Sequence, residues 1–161
     1  MRTLGQHALC AKEIRKILKK AFPMVKFSVR STSYSMGDNV TVDWKDGVSS
    51  TAVKELISHF EYGSFDGMTD CYNYDNNIES IPQTKFLMIN RNFSDEIMEE
   101  AFVIIKDVWD CFRDCKDINS RSNSGFNTTP AQYIYRKLVD NEDLTKGLRK
   151  ETFFTLYSWH L

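Results

Sequence analysis

The chain has 161 residues, 42% of them hydrophobic and 13% aromatic, with a formal net charge of -1. It is long enough for one domain with a real core and too apolar for a disordered chain, so it is expected to fold alone. The start, MRTLGQHALCAKEIRK, holds no apolar signal core, and no run approaches the roughly eighteen apolar residues of a membrane span; a cytoplasmic protein without a membrane partner is expected.

From about His7 to Phe22, Leu9, Ile14, Ile17, Leu18 and Ala21 recur at helical spacing, with Lys12, Arg15, Lys16 and Lys19 on the opposite face. Pro23 ends this helix. Val25, Phe27 and Val29 then alternate with Lys26, Ser28 and Arg30, and Val40, Val42 and Trp44 with Thr41, Asp43 and Lys45. This is the period of half-buried strands, and the two runs predict an antiparallel hairpin. Asp46-Gly47 is a turn signal, and Ser49, Ser50 or Thr51 can cap a second helix to about Glu61, with Val53, Leu56, Ile57 and Phe60 as its core stripe.

GSFDGMTDCYNYDNN reads as an ordered loop with a short strand at Cys71 to Tyr74, and Thr84 to Asn92 as another strand. Two adjacent apolar stripes from Asp95 to about Lys116 predict the longest helix, with a wide buried face. Asn119 to Asn127 is a polar loop, Pro130 opens a helix through Tyr133, Ile134, Leu138 and Val139, and ETFFTLYSWHL reads as a strand or short helix. The expected fold is α+β in a single domain over 1–161. A small antiparallel sheet, made of the hairpin at about 25–45 and a strand near 84–92, is covered by helices. Within it an α-β-β-α core precedes a helical extension over 76–161.

Certain words in this order resemble a known family. IRKILKKAFPMVKFSVRSTSYSMG, then VDWKDG, then FEYGSFDGMTDCY, over about residues 10–75, are similar to the twenty-ninth of the large polyvalent protein-associated domains. KFSVRS, SMG and FDGMTD are the specific words. The resemblance implies a setting more than an activity: modules of phages and conjugative elements, also found as small stand-alone proteins. They are thought to accompany mobile DNA into a new host, often beside enzymes that counter host defence. No catalytic residue or cofactor comes with it.

Candidate sites rest on the residues themselves. Residues 1–36 hold eight basic side chains against the single acid Glu13, a net +7 that leaves -8 for the rest. Lys12, Arg15, Lys16, Lys19 and Lys20 on the helix, with Lys26 and Arg30 on the strand, form a basic face able to track phosphates, with Ser31, Ser33 and Ser35 adding hydroxyl donors. The bland reading of such a run is a solvated face. In the loop from Tyr34 to Asp38, Gly37 permits close backbone approach, though the segment lacks the spacing of a P-loop and reads first as a hairpin connection.

FDGMTD offers Asp66 and Asp70 as a pair for a metal ion, but Asp-Gly is a turn word and no histidine accompanies them; a structural alternative pairs Asp66 or Asp70 with Arg30. Cys71, Cys111 and Cys115 with His7, His59 or His160 are conceivable zinc ligands, yet Cys111 and Cys115, one helical turn apart on the apolar stripe, read as packing residues. All four cysteines, Cys10 included, are expected to be reduced. Tyr34, Phe65, Tyr72 and Tyr74 in loops beside positive charge suit base stacking, or simply the core.

The expected function is therefore a non-enzymatic binding protein of a mobile element, contacting nucleic acid or a nucleic-acid-bound host complex through the basic helix and hairpin. An inhibitor whose acids, Asp66, Asp70, Asp75 and those from Asp107 to Asp117, mimic nucleic acid against a host defence protein is the alternative. A metal-dependent enzyme at Asp66 and Asp70 is a third.

Overall fold

The computed structural model describes residues 5–121, 128–140, 143–148 and 150–153. The architecture is α+β, and the described residues gather in two compact units, one from residues 1–45 and 50–91, the other from residues 46–49 and 92–161.

In the first unit, α1 (Gln6–Ala21) forms where the apolar spacing predicts it and buries Cys10, Ala11, Ile14 and Leu18 on one face. The hairpin also stands where the alternation puts it, as β1 (Phe27–Tyr34) and β2 (Gly37–Lys45). Its register pairs Phe27 with Trp44, Val29 with Val42, Ser31 with Val40 and Tyr34 with Gly37, so Ser35 and Met36 alone make the connection. Side chains of paired residues share a face. Val29, Val40, Val42 and Trp44 are all buried, and α1 packs across that face. Val40 and Val42 are fully shielded, which stabilises the layer by roughly 1.5–3 kcal/mol each.

After α2 (Ser50–Ile57), which packs on α1, a single 3-10 turn (Ser58–Phe60) completes the expected Val53, Ile57 and Phe60 stripe. The glycine- and aspartate-rich segment is more ordered than its composition suggests: β4 (Cys71–Asn73) is the expected short strand, and it pairs with an unforeseen β3 (Ser64–Asp66). Asp70 takes a φ of 52 in the turn between them, a left-handed position that aspartate tolerates. Strand β5 (Phe86–Asn92) then joins the sheet beside β2, in the order β1-β2-β5.

In the second unit, Ser94 caps α3 (Asp95–Val108) by accepting the Ile97 N–H at 3.3 Å. The expectation of one helix from Asp95 to about Lys116 is corrected here. Trp109 is extended (φ -123, ψ 113), and only a short α4 (Asp110–Arg113) follows. The cause is tertiary, since the Trp109 indole N–H donates to the Phe153 carbonyl at 3.1 Å and its ring meets Tyr133 edge-on, fixing a conformation that helix propensity alone would not select. Cys111 and Cys115 are consequently not one turn apart on a single helix: Cys111 lies in α4 and Cys115 beyond its end. Cys115 is nonetheless buried, as its packing role requires.

α5 (Pro130–Leu138) starts on a capping box between Thr129 and Gln132. Ala101, Ile105, Phe112, Ile134, Leu138 and Phe153 form the core of this unit. Of the expected polar loop, residues 122–127 lie outside the described residues, as do 154–161 of the last segment, His160 among them.

Candidate nucleic-acid interface

Strand alternation decides where the predicted basic residues go. Val29 faces α1, so Arg30 projects from the other side of the sheet, together with Ser28, Thr32 and Tyr34. Lys26 precedes the strand in the same alternation, and it is exposed. Lys12, Lys16, Lys19 and Lys20 are exposed on α1, turned away from the sheet, while Arg15, also exposed, reaches toward β1. The basic residues thus occupy two faces of one layer, the outer surface of α1 and the open face of the sheet.

These two faces meet along the outer edge of β1. Arg15 donates a hydrogen bond to the Val29 carbonyl, which fixes the Arg15 flank of α1 over β1 and turns that carbonyl away from β2. By alternation the backbone groups of Ser31 and Ser33 also point outward, and neither has a backbone partner there among the described residues. At 3.6 residues per turn, Lys19 and Lys12 lie about 40° and 60° round the helix from Arg15, Lys16 and Lys20 about 100° and 140°. Lys12 and Lys19 are therefore the α1 lysines nearest the Arg15 flank, and Lys26 and Arg30 lie on the open side of the sheet. Lys16 and Lys20 stand further off.

The cations differ in their engagement. Lys16 pairs with Glu13 at 2.7 Å, one turn away on the same helix. Arg30 pairs with Asp43 at 2.7 Å across the hairpin, which corrects the expected partnership with Asp66 or Asp70. Asp43 also accepts from the Asn90 amide at 3.1 Å. With 70% of its side chain exposed, Arg30 holds a surface ion pair of little net worth, easily exchanged for a phosphate. Lys12, Lys19, Lys20 and Lys26 have no ion pair among the described residues.

The loop candidates gather at the far end of the hairpin. Gly37 stands where a Cβ would come within 2.8 Å of Lys85 Cδ, so its missing side chain lets Lys85 cross β2 opposite Tyr34. The Lys85 ammonium donates to the Met36 carbonyl at 3.1 Å and lies 5.0 Å from the centre of the Tyr72 ring. Tyr72 is locked: its hydroxyl donates to the Lys85 carbonyl at 2.5 Å, and its ring meets Tyr62, Tyr74 and Phe86 edge-on. Burial, with Glu61 next, raises its phenol above the ordinary range. Tyr74 stacks parallel to Tyr62 at 5.8 Å. Phe65 and Tyr34 are 55% and 45% exposed and make no ring-to-ring contact among the described residues. Lys85 is the residue that sequence reasoning missed; it comes from a distant segment, and no local word marks it.

Of the acidic candidates, Asp66 and Asp75 are engaged within their own segment. Asp66 accepts the Met68 N–H at 2.9 Å and the Thr69 hydroxyl at 2.8 Å, bonds that hold its carboxyl below the usual carboxylate range. Both of its oxygens thus serve the β3–β4 turn, and Asp75 accepts from the Ser64 hydroxyl at 2.8 Å. Among the described residues no three His, Cys, Asp or Glu side chains converge to hold a metal. Burial pushes the Cys10 thiol up to about 12, which suits a packing residue and not a nucleophile. Asp110 of the second unit pairs with Arg113. On the other flank of α1 a cleft of about 700 Å³ is lined by Glu13, Asp38 and Glu79, with Tyr62 and Gln83. Three carboxylates make it a poor seat for phosphate.

Residues 6–98 match the family model described as large polyvalent protein associated domain 29, and the chain belongs to that family. The match runs from the start of α1 into α3, further than the words at 10–75. No curated protein and no solved structure matches the chain. Membership suggests a protein associated with a phage or other mobile element. No helix among the described residues is long and apolar enough to cross a membrane.

Proposed function

We propose that this member of the large polyvalent protein associated domain 29 family is a non-enzymatic accessory protein that binds nucleic acid, free or within a host complex, along the outer edge of β1. The observation that supports it is the Arg15 to Val29 hydrogen bond, because it sets the two basic faces on either side of one line. A sugar-phosphate backbone laid on that line meets Lys12, Arg15 and Lys19 from the helix and Lys26 and Arg30 from the sheet. Ser31 and Ser33 offer outward N–H groups between them. From Lys26 to Tyr34 the strand spans about 26 Å, room for several phosphates. Phosphate contacts of this kind fix position and carry no base preference.

Binding of labelled single strands and duplexes across a salt series tests this, for wild type and for Lys26→Glu/Arg30→Glu. Contacts from Lys12, Lys19, Lys26 and Arg30 give a slope of log K against log salt of about -3 on single strands, at about -0.7 per phosphate. The double variant is expected to lose at least half of that slope. Equal binding and equal slope in both proteins would dismiss the proposal.

A further inference from the structure

We infer that the nucleic acid taken by the β1 edge is single-stranded, and that Tyr34 is the platform on which one of its bases stacks. The inference rests on the edge reading above and adds the class of strand to it. Tyr34 ends β1 on the same face as Arg30 and Thr32, about 13 Å along the strand from Arg30. A backbone following Lys26 and Arg30 arrives at this ring. The ring is 45% exposed and, unlike Tyr62, Tyr72 and Tyr74, makes no ring-to-ring contact among the described residues, so part of its surface is open to a base.

Lys85 adds a cation at the same place. It passes over Gly37, the cross-strand partner of Tyr34, and its ammonium is held by the Met36 carbonyl beside the Tyr72 ring. A phosphate next to the stacked base would find this charge. The nearest acid on β2, Asp38, pairs with Ser33 and so points to the opposite face, where it accepts from Thr84 and from the Lys85 N–H. Duplex bases are already stacked on one another and present edges, not faces, so Tyr34 selects for strands whose bases are unpaired.

Phe65 and Tyr74 are poorer candidates. Phe65 stands on the separate β3–β4 hairpin, and Tyr74 has one face against Tyr62.

The test compares labelled oligothymidylate of about ten nucleotides with a duplex of equal length, a size within the usual single-strand site range. Wild type, Tyr34→Ala, Tyr34→Phe and Lys26→Glu/Arg30→Glu are measured at one low salt concentration, each after a thermal melt confirms folding. The expected result is that Tyr34→Ala weakens oligothymidylate about tenfold, Tyr34→Phe keeps it, and neither changes duplex binding. If Tyr34→Ala binds oligothymidylate as wild type does while the charge-reversal pair does not, stacking is wrong and the edge survives. If the charge-reversal pair binds like wild type, or no ligand binds at all, the edge and the stacking inference fall together.

Discussion

Replacing Gly37 with alanine probes a place where backbone geometry positions a candidate side chain. Its φ of 155 belongs to a region that is essentially glycine's own, so an alanine there costs about 1–3 kcal/mol in strain. Its Cβ also lands 2.8 Å from Lys85 Cδ, which must move. Moving it loosens the ammonium from the Tyr72 and Phe86 rings, 5.0 and 5.5 Å away, worth roughly 0.5–1 kcal/mol at an exposed site. The bond to the Met36 carbonyl adds about 1 kcal/mol. Gly37→Ala should thus cost on the order of 2–5 kcal/mol and lower Tm by roughly 5–15 °C.

A double-mutant cycle with Lys85→Ala separates the two contributions. In the Lys85→Ala background the clash has no partner, so Gly37→Ala should cost less there, by about 1–2 kcal/mol in chemical denaturation. An equal cost in both backgrounds would mean that Lys85 does not need glycine at this position to cross the strand.

Other expectations follow from the same geometry. Arg15→Ala frees the Val29 carbonyl on an edge strand that carries no proline among its residues, and is expected to promote concentration-dependent self-association, read by sedimentation velocity. An unchanged monomer-to-oligomer ratio would remove Arg15 as a guard of that edge. Cys10 has its thiol raised from 9.0 to about 12 by burial, so the native state holds its proton where the unfolded chain releases it. The stability this contributes is complete below pH 9 and is lost as pH climbs from 9 toward 12; Cys10→Ala should flatten that part of the profile, and an identical alkaline loss in both proteins would count against it. Thr129→Ala breaks the capping box of α5 and should cost about 1 kcal/mol, while Thr129→Ser should cost little; equal losses would show that the cap is not what matters.

How much could be read beforehand varies from residue to residue. The alternation of Val29 with Arg30 and of Val40 with Thr41 was enough for the hairpin and for α1 over its apolar face. The same alternation already implied that Arg30 and the α1 lysines stand on opposite sides of the sheet, because a helix covering Val29 must turn its own lysines away from Arg30. That consequence is legible only when helix and strand are read together, and it replaces one basic face with two that share the β1 edge. Lys85 and Asp43 were not legible, since each meets its partner through the fold: Lys85 over Gly37, Asp43 diagonally to Arg30. The break at Trp109 was hidden for a similar reason. Its cause is the Phe153 carbonyl, 44 residues on, and no helix-stopping residue marks the site.

The edge is distinguished from a generic positive patch by moving equal charge on one helix. Lys12→Glu/Lys19→Glu reverses the two lysines nearest the Arg15 flank, and Lys16→Glu/Lys20→Glu reverses the two furthest round from it; both variants change the net charge equally. The first pair is expected to abolish salt-dependent binding of a single strand, whereas the second only weakens it. Equal losses from the two pairs would contradict an edge and leave only diffuse electrostatic attraction.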